Sequence, residues 1–196
     1  MPEATSSADT RQRILTATNE LFRLQGFNAT SMSQIVKASQ STTGSVYHFF
    51  PGGKDELTAE VLRTSGRAYG ELVEMLVRSA SDPAEGMQVA FAGAAELLVE
   101  TDFIDPCPIG TVAREVASTH EDLRQVAAEV MDQWAEMLTS VLTDAGISAE
   151  RAEPLATLCI ATIEGGFIAA RTHRHVAPFL SAGQLLKGLI ADELPR

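Results

Sequence analysis

The stretch SMSQIVKASQSTTGSVYHFFPGGKDEL, Ser31 to Leu57, decides how the chain is read. Ser31 followed three residues later by Gln34 is a capping-box pattern, so a helix is expected from Met32, with Ile35 and Val36 on its apolar side. Ser39-Gln40-Ser41 interrupts it with three small or polar residues, and Ser41 or Thr42 can cap the helix that follows. That second helix, about Thr42 to His48, opens on Thr42, Thr43, Gly44 and Ser45 and closes on Tyr47, His48, Phe49 and Phe50. Pro51-Gly52-Gly53 stops it, and Lys54 begins the next helix. Two helices joined by three or four residues, the second short and polar along its leading edge, fit a helix-turn-helix reader of DNA. Short side chains let such a helix approach base edges. Thr and Ser hydroxyls donate or accept there, and a Thr methyl can touch a thymine methyl. Gly44 lowers helix propensity by about 1 kcal/mol relative to Ala, which close approach to DNA or to the preceding helix would justify. The competing interpretation of the same pattern is a surface helical hairpin with an ordinary loop.

Working outward, Asp9 or Thr10 to about Gln25 has helical spacing, with Ile14, Ala17, Leu21 and Phe22 on one face and Gly26 as its stop. Residues 1–8 are polar and expected to be a disordered tail. After Lys54, the positions Leu57, Val61, Ala68, Leu72 and Leu76 predict one long helix of some 26 residues. Asp82-Pro83-Ala84-Glu85 is a second start signal: a cap, a proline at the first position and an acid at the third. The apolar helix that it opens should run to about Thr101. Asp105-Pro106-Cys107-Pro108 breaks the chain before a short helix to about Ser118. A long amphipathic helix from near His120 to Asp144 follows. Ser148 is expected to cap a helix to about His173, and Pro178 to open the last. The pattern contains no strand period, repeat or low-complexity linker. The expected fold is all-α with about nine helices.

Composition sets further bounds. The 196 residues are 45% hydrophobic and 6% aromatic, with a mean hydropathy of +0.04, as for a soluble globular chain. No apolar run is expected to approach the roughly 18 residues of a membrane span, and the first residues lack the basic start and apolar core of a signal peptide. Cys107 and Cys159 lie far apart without metal-type spacing, as expected of reduced cytoplasmic thiols. The net charge is −11, which taken globally argues against nucleic acid. Its distribution changes that. Residues 1–50 carry four Lys or Arg and three acids, whereas residues 51–196 carry eleven and 23, so the acidity belongs to the second part.

The segment from about Arg11 to Leu57 resembles the DNA-binding domain of the TetR/AcrR family of transcription regulators. The residues that carry the likeness are Gly26-Phe27 with Thr30-Ser31, Ile35 with Ala38, Ser41, Gly44, Val46-Tyr47, Phe50, and Lys54 through Leu57. The Phe-Pro-Gly-Gly-Lys break and Cys107-Pro108-Ile109-Gly110 resemble the LmrA/YxaF-like branch. Ser39 and Gln40 depart from the family, which usually carries Gly and an apolar residue at those positions. Ser39 is therefore expected in a left-handed conformation, and Gln40 should face solvent or DNA.

The resemblance implies a DNA-binding domain over residues 1–54 and a larger helical ligand-binding and dimerisation domain over 55–196. The partners implied are double-stranded operator DNA, a second copy of the chain and a small apolar ligand, with no membrane. DNA contacts are expected from Ser31, Ser33, Gln40 and Ser41, and from Thr42, Thr43 and Ser45 at the leading edge of the recognition helix. Tyr47, His48 and Lys54 should meet the sugar-phosphate chain, the alternative for Tyr47 being core packing with Phe49 and Phe50. The expected ligand pocket gathers Phe91, Phe103, Cys107, Met131, Trp134 and Phe167, although any one of these could be plain core. Glu164-Gly165-Gly166 places two glycines inside a helix, which suits either a close subunit contact or a kink. The interface expected from the family uses Thr162, Gly166 and Ala169 with Leu186, Leu189 and Ile190.

No metal, cofactor or catalytic residue is expected. His173 and His175, two apart, do not share a helix face, and they suit a solvated helix end better than a metal. Cys107 between prolines has only Asp102 and Asp105 nearby, neither of which would activate a thiol. The function implied is a sequence-specific transcriptional regulator, a repressor released by a small apolar or aromatic ligand. The alternatives are an architectural DNA binder without ligand, or a helical enzyme using Cys107.

Overall fold

The computed structural model describes residues 7–104 and 107–195. The described residues form nine helices and no strand: α1 Ser7–Gln25, α2 Met32–Ala38, α3 Thr43–Phe49, α4 Gly53–Arg78, α5 Pro83–Glu100, α6 Pro108–Val116, α7 Glu121–Asp144, α8 Ala149–His173 and α9 Ala177–Glu193. The all-α expectation holds. Helix α1 begins two residues before Asp9, so Ser7 and Ala8, assigned to a disordered tail, are helical. The rest of that tail and the Asp105-Pro106 part of the expected break lie outside the described residues.

By packing, the chain divides into two compact units: Met1–Gly66 with Pro108–Ala128, and Arg67–Cys107 with Glu129–Arg196. In the first, α1 buries Ile14, Leu15, Thr18 and Phe22 and packs with α2, α3 and α6. It ends at Gly26, whose φ of +81° is a left-handed value open to glycine without steric cost. A Cβ there would also overlap the Glu115 carboxylate of α6.

In the second unit, α9 packs on both α5 and α8. The centre is a stack of Phe91, Phe167 and Phe179, with ring centroids 4.7 Å apart for Phe91–Phe179 and 5.1 Å for Phe167–Phe179. All three are essentially shielded from water, and burial of each contributes about 1.5–3 kcal/mol. Asp82 caps α5 as expected, accepting from the Glu85 amide at 2.9 Å. Ser148 occupies the N-cap position of α8 but makes no side-chain capping bond, contrary to expectation. At the other end, the last turn of α8 closes through Arg174, φ +53°, whose amide reaches the carbonyls of Ala170 and Arg171. By length and composition α8 is apolar enough to cross a membrane, although Ile163, Gly166, Phe167 and Ala170 are buried within its own unit.

Candidate nucleic-acid interface and ligand cavity

The starts of α2 and α3 are each capped by a side chain. Ser31 and Gln34 form the complete capping box: the Ser31 amide donates to Gln34 Oε1 at 2.7 Å and the Gln34 amide to Ser31 Oγ at 3.3 Å. Of the two candidates for the second cap, the structure uses Thr42. Its hydroxyl accepts from the Ser45 amide at 3.1 Å, and α3 therefore spans Thr43–Phe49, one residue later than expected. The left-handed residue of the turn is Gln40, φ +51°, and not Ser39. Ser39 has φ −77° and is buried, its hydroxyl donating to the Ile35 carbonyl at 2.7 Å. A serine at this position thus extends α2 by bonding back to it, and the reversal falls on the next residue. For a non-glycine residue that conformation costs roughly 1–2 kcal/mol.

Val46 and Phe50 face the core, which turns the opposite side of α3 outward. Ser31, Ser33, Gln40, Thr42, Thr43, Gly44, Tyr47 and His48 are exposed, while Ser41 and Ser45 are half-buried. Tyr47, at 47% exposure, is not a core residue. A Cβ added to Gly44 would meet only the Thr42 hydroxyl, at 3.8 Å. Packing against α2 therefore does not account for this glycine.

Lys54 is held by the fold. Its Nζ donates to the Phe27 carbonyl at 2.6 Å and lies 3.8 Å from the centre of the Phe27 ring. Burial lowers its pKa below the ordinary lysine value, with Asp55 and Glu115 pulling it back up. Around the same phenylalanine, the Asn28 amide donates to Glu115 Oε2 at 2.6 Å, and His120 meets the Phe27 ring edge-on at 5.1 Å. The α1–α2 connection is thus held from α4, α6 and the start of α7. Sequence spacing showed neither Glu115 nor His120 as its partners, because both lie far along the chain.

In the second unit the expected pocket residues separate. Phe91 and Phe167 fill the aromatic core with Phe179. Phe103 is half-buried beneath the Arg174 guanidinium, 5.2 Å away. Cys107 is fully buried. None of these four lines the cavities beside α4. One such cavity, about 20 Å³, lies between α4, α7 and α8 and is bounded by Tyr69, Val73, Trp134, Met137, Ile163 and Glu164 among others. An apolar groove of about 170 Å³ shares Tyr69, Val73 and Ile163 with it and adds Leu72, Leu76, Ala90 and Leu97. Met131 lines a neighbouring surface groove between α7 and α8. Of the six expected residues, only Trp134 reaches the cavity wall. Among the lining residues, Leu72 and Leu76 of α4 had appeared in the sequence only as members of an apolar stripe.

The expected interface also divides. Gly166, Leu186 and Ile190 point into their own unit, and a Cβ on Gly166 would collide with the Phe179 ring. Its closeness is therefore to a ring of the same chain. Gly165 is the open one: a Cβ there meets nothing within 4 Å. With Leu158, Ala161 and Ile168 it forms an exposed face of α8, while Leu185 and Leu189 are 74% and 49% exposed on α9. Thr162 and Ala169 are half-buried beside that face.

Residues 14–61 match the bacterial regulatory proteins of the tetR family, and residues 83–185 match the C-terminal domain of LmrA/YxaF-like transcriptional regulators. The chain belongs to the TetR family. It is a helix-turn-helix, DNA-binding transcriptional regulator of the LmrA/YxaF-like branch. It is 36% identical over 191 residues to the uncharacterized regulator YxaF of Bacillus subtilis, covering 97% of this chain and 96% of that one. To LmrA of the same organism it is 32% identical, covering 94% and 98%. A TetR-family regulator from Cytophaga hutchinsonii shares the fold with a TM-score of 0.80 at 24% identity, over 99% of both chains. A TetR protein from Rhodobacter sphaeroides superposes equally well, TM-score 0.80, at 18% identity over 92% of this chain and 98% of that one.

Proposed function

We propose that this regulator is a cytoplasmic homodimeric repressor, released from a pseudo-palindromic operator when a small apolar or aromatic ligand enters its second unit. The observation that carries the reading is the leading edge of α3. Thr42, Thr43, Gly44 and Ser45 form a low surface of hydroxyls around a glycine whose added Cβ would meet only the Thr42 hydroxyl. Such an edge can approach bases closely, with Thr43 and Ser45 reading them. Ser31, Ser33, Gln40, Ser41, Tyr47 and His48 would position the helix on the backbone. Within residues 1–54 this is the DNA-contacting segment; ligand and partner belong to 55–196. Lys54 keeps two of its three ammonium protons beyond the one given to Phe27, enough to meet a phosphate.

Dimerisation through the open face around Gly165, Ile168, Leu185 and Leu189 would present two recognition helices to half-sites about one turn apart. Tyr69, Gly70 and Val73 of α4 line the cavity. A ligand there would act on the helix whose first turns follow the DNA-contacting segment, and it would work only through a difference in affinity between two states.

Selection of bound sites from random duplexes tests the reading. An inverted repeat should be enriched by the wild-type chain. Thr43→Ala should relax preference at one or two base pairs by about 1–3 kcal/mol without changing the salt dependence. Lys54→Ala should weaken all sequences alike and lower the salt slope by about one. Enrichment of no repeat, or loss of sequence preference from Lys54→Ala alone, would remove α3 from the groove.

A further inference from the structure

Helix α3 carries no Lys or Arg, and its one basic side chain is His48 in the last turn. Binding to DNA nevertheless requires fixed cations that displace counterions from phosphates, so those of this unit must come from its other helices. Residues 1–54 hold five: Arg11, Arg13, Arg23, Lys37 and Lys54. Arg11 is committed within the fold, pairing with Glu60 at 2.7 Å and lying 5.4 Å from the centre of the Phe50 ring. Lys54 is drawn to Phe27, Arg23 stands in the last turn of α1, and Lys37 is exposed near the end of α2. Arg13 differs from all of these. It is half-buried, yet among the described residues its guanidinium reaches one partner, the Thr10 hydroxyl at 3.4 Å, longer than the usual hydrogen-bond range. Its Nε is buried without an acceptor. A guanidinium offers five N–H donors, so most of the capacity of Arg13 is unused.

Arg13 also stands where space and backbone strain coincide. With Gln12 and Thr16 of α1 it lines a groove of about 720 Å³ that includes Ala38, Ser39 and Gln40 of the α2–α3 turn. Gln40 is the left-handed residue of that turn, φ +51°, a conformation that glycine would adopt without steric cost. The groove also holds two carboxylates, Asp9 and Glu20, one turn before and two turns after Arg13 along α1. An anion is thereby kept off the rest of the groove and admitted beside the guanidinium. We infer that Arg13 and Gln40 together hold one phosphate of the DNA backbone, Arg13 through two parallel N–H groups and Gln40 through its side-chain amide. The inference rests on the reading of α3 as the base-reading helix and adds the clamp that fixes it on the strand. The planar fork of an arginine matches two phosphate oxygens, and the phosphate supplies acceptors that the folded chain does not. Gln40 contributes its donor from the turn that leads directly into Thr42 and Thr43, so the clamped phosphate sets the register of the reading edge. The same contact gives a reason for a glutamine where glycine would be unstrained.

The test measures binding of the full-length chain to the duplex enriched in the site selection, over a range of NaCl concentrations. It is repeated with single phosphates replaced by neutral methylphosphonates. Arg13→Gln should lower the salt slope by about 0.9 for each protomer bound and leave the ranking of single-base variants of the duplex unchanged. Arg11→Gln, whose parent side chain is engaged by Glu60, should keep the wild-type slope. In wild type, neutralising one particular phosphate of each half-site should weaken binding. In Arg13→Gln the same replacement should have no further effect, the coupling expected of a direct contact. Gln40→Gly, which the left-handed backbone accepts, should be less sensitive than wild type at that same phosphate. An unchanged slope or an altered base preference in Arg13→Gln, an equal fall of slope in Arg11→Gln, or full sensitivity to that phosphate in either Arg13→Gln or Gln40→Gly would overturn the inference and leave the reading of α3 standing. Enrichment of no duplex by the wild-type chain would instead remove the reading of α3, and this inference with it. Should Arg13→Gln not fold, the phosphate scan on Gln40→Gly decides.

Discussion

At the start of α2, Ser31 and Gln34 satisfy one another across three residues, and at the start of α3 the Thr42 hydroxyl accepts from the Ser45 amide. The wall of the cavity between α4, α7 and α8 is made differently. Tyr69, Trp134 and Glu164 come from three helices widely separated in the chain. The first region is a motif written in consecutive residues; the second exists only once α4, α7 and α8 have packed. Spacing within a few residues therefore marks the outward edge of α3, whereas Phe91 and Phe167, large and apolar, pack in the core with Phe179.

The contrast can be broken first at the adjacent glycines of α8. Gly166→Leu forces a side chain into the Phe179 ring of the same chain and should cost about 1–3 kcal/mol of folding stability by overpacking, read as a lower urea midpoint. Gly165→Leu points into open space and should leave the midpoint near wild type while shifting the sedimentation of a dimer toward monomer. Equal loss of stability from both variants would show that the packing boundary does not run between these two residues.

A smaller effect is expected in the turn. Thr42→Ala removes the acceptor for the Ser45 amide and should cost about 1 kcal/mol, whereas Thr42→Ser should restore most of it. Amide exchange at Ser45 is the sharpest measure, because it is the donor released. Unchanged protection in Thr42→Ala would mean that the local bond does not hold α3.

The smallest effect is a pH dependence. The pKa of Lys54 in the folded chain is lowered, chiefly by burial. Between that lowered value and the ordinary lysine value of 10.5, the unfolded chain binds a proton that the folded chain has released. Stability contributed by this group therefore rises with pH through that window. Lys54→Met, which keeps the hydrocarbon stem, should lack this rise. A difference curve between wild type and Lys54→Met that falls over the window would contradict burial as the dominant influence on Lys54.

The sequence by itself determined the helices and the polar leading edge of α3, since both depend on residues close together in the chain. Helical spacing placed nine elements, the Ser31–Gln34 box placed the start of α2, and the run of small residues from Thr42 to Ser45 marked the outward edge of α3. Even the misplaced reversal was off by one residue, because a serine at position 39 can bond back to the Ile35 carbonyl and so lengthen α2 before the chain turns. Tertiary structure alone decided which glycine of α8 is covered, which aromatic residues are core, and which meet at the cavity. It also decided that Lys54 and Glu115 converge on the loop at Phe27 and Asn28. The physical reason is one of range. A cap or a turn is satisfied by residues that the chain already holds together, whereas a cavity wall depends on helices brought side by side by burial, which favours apolar area without specifying which residues will meet.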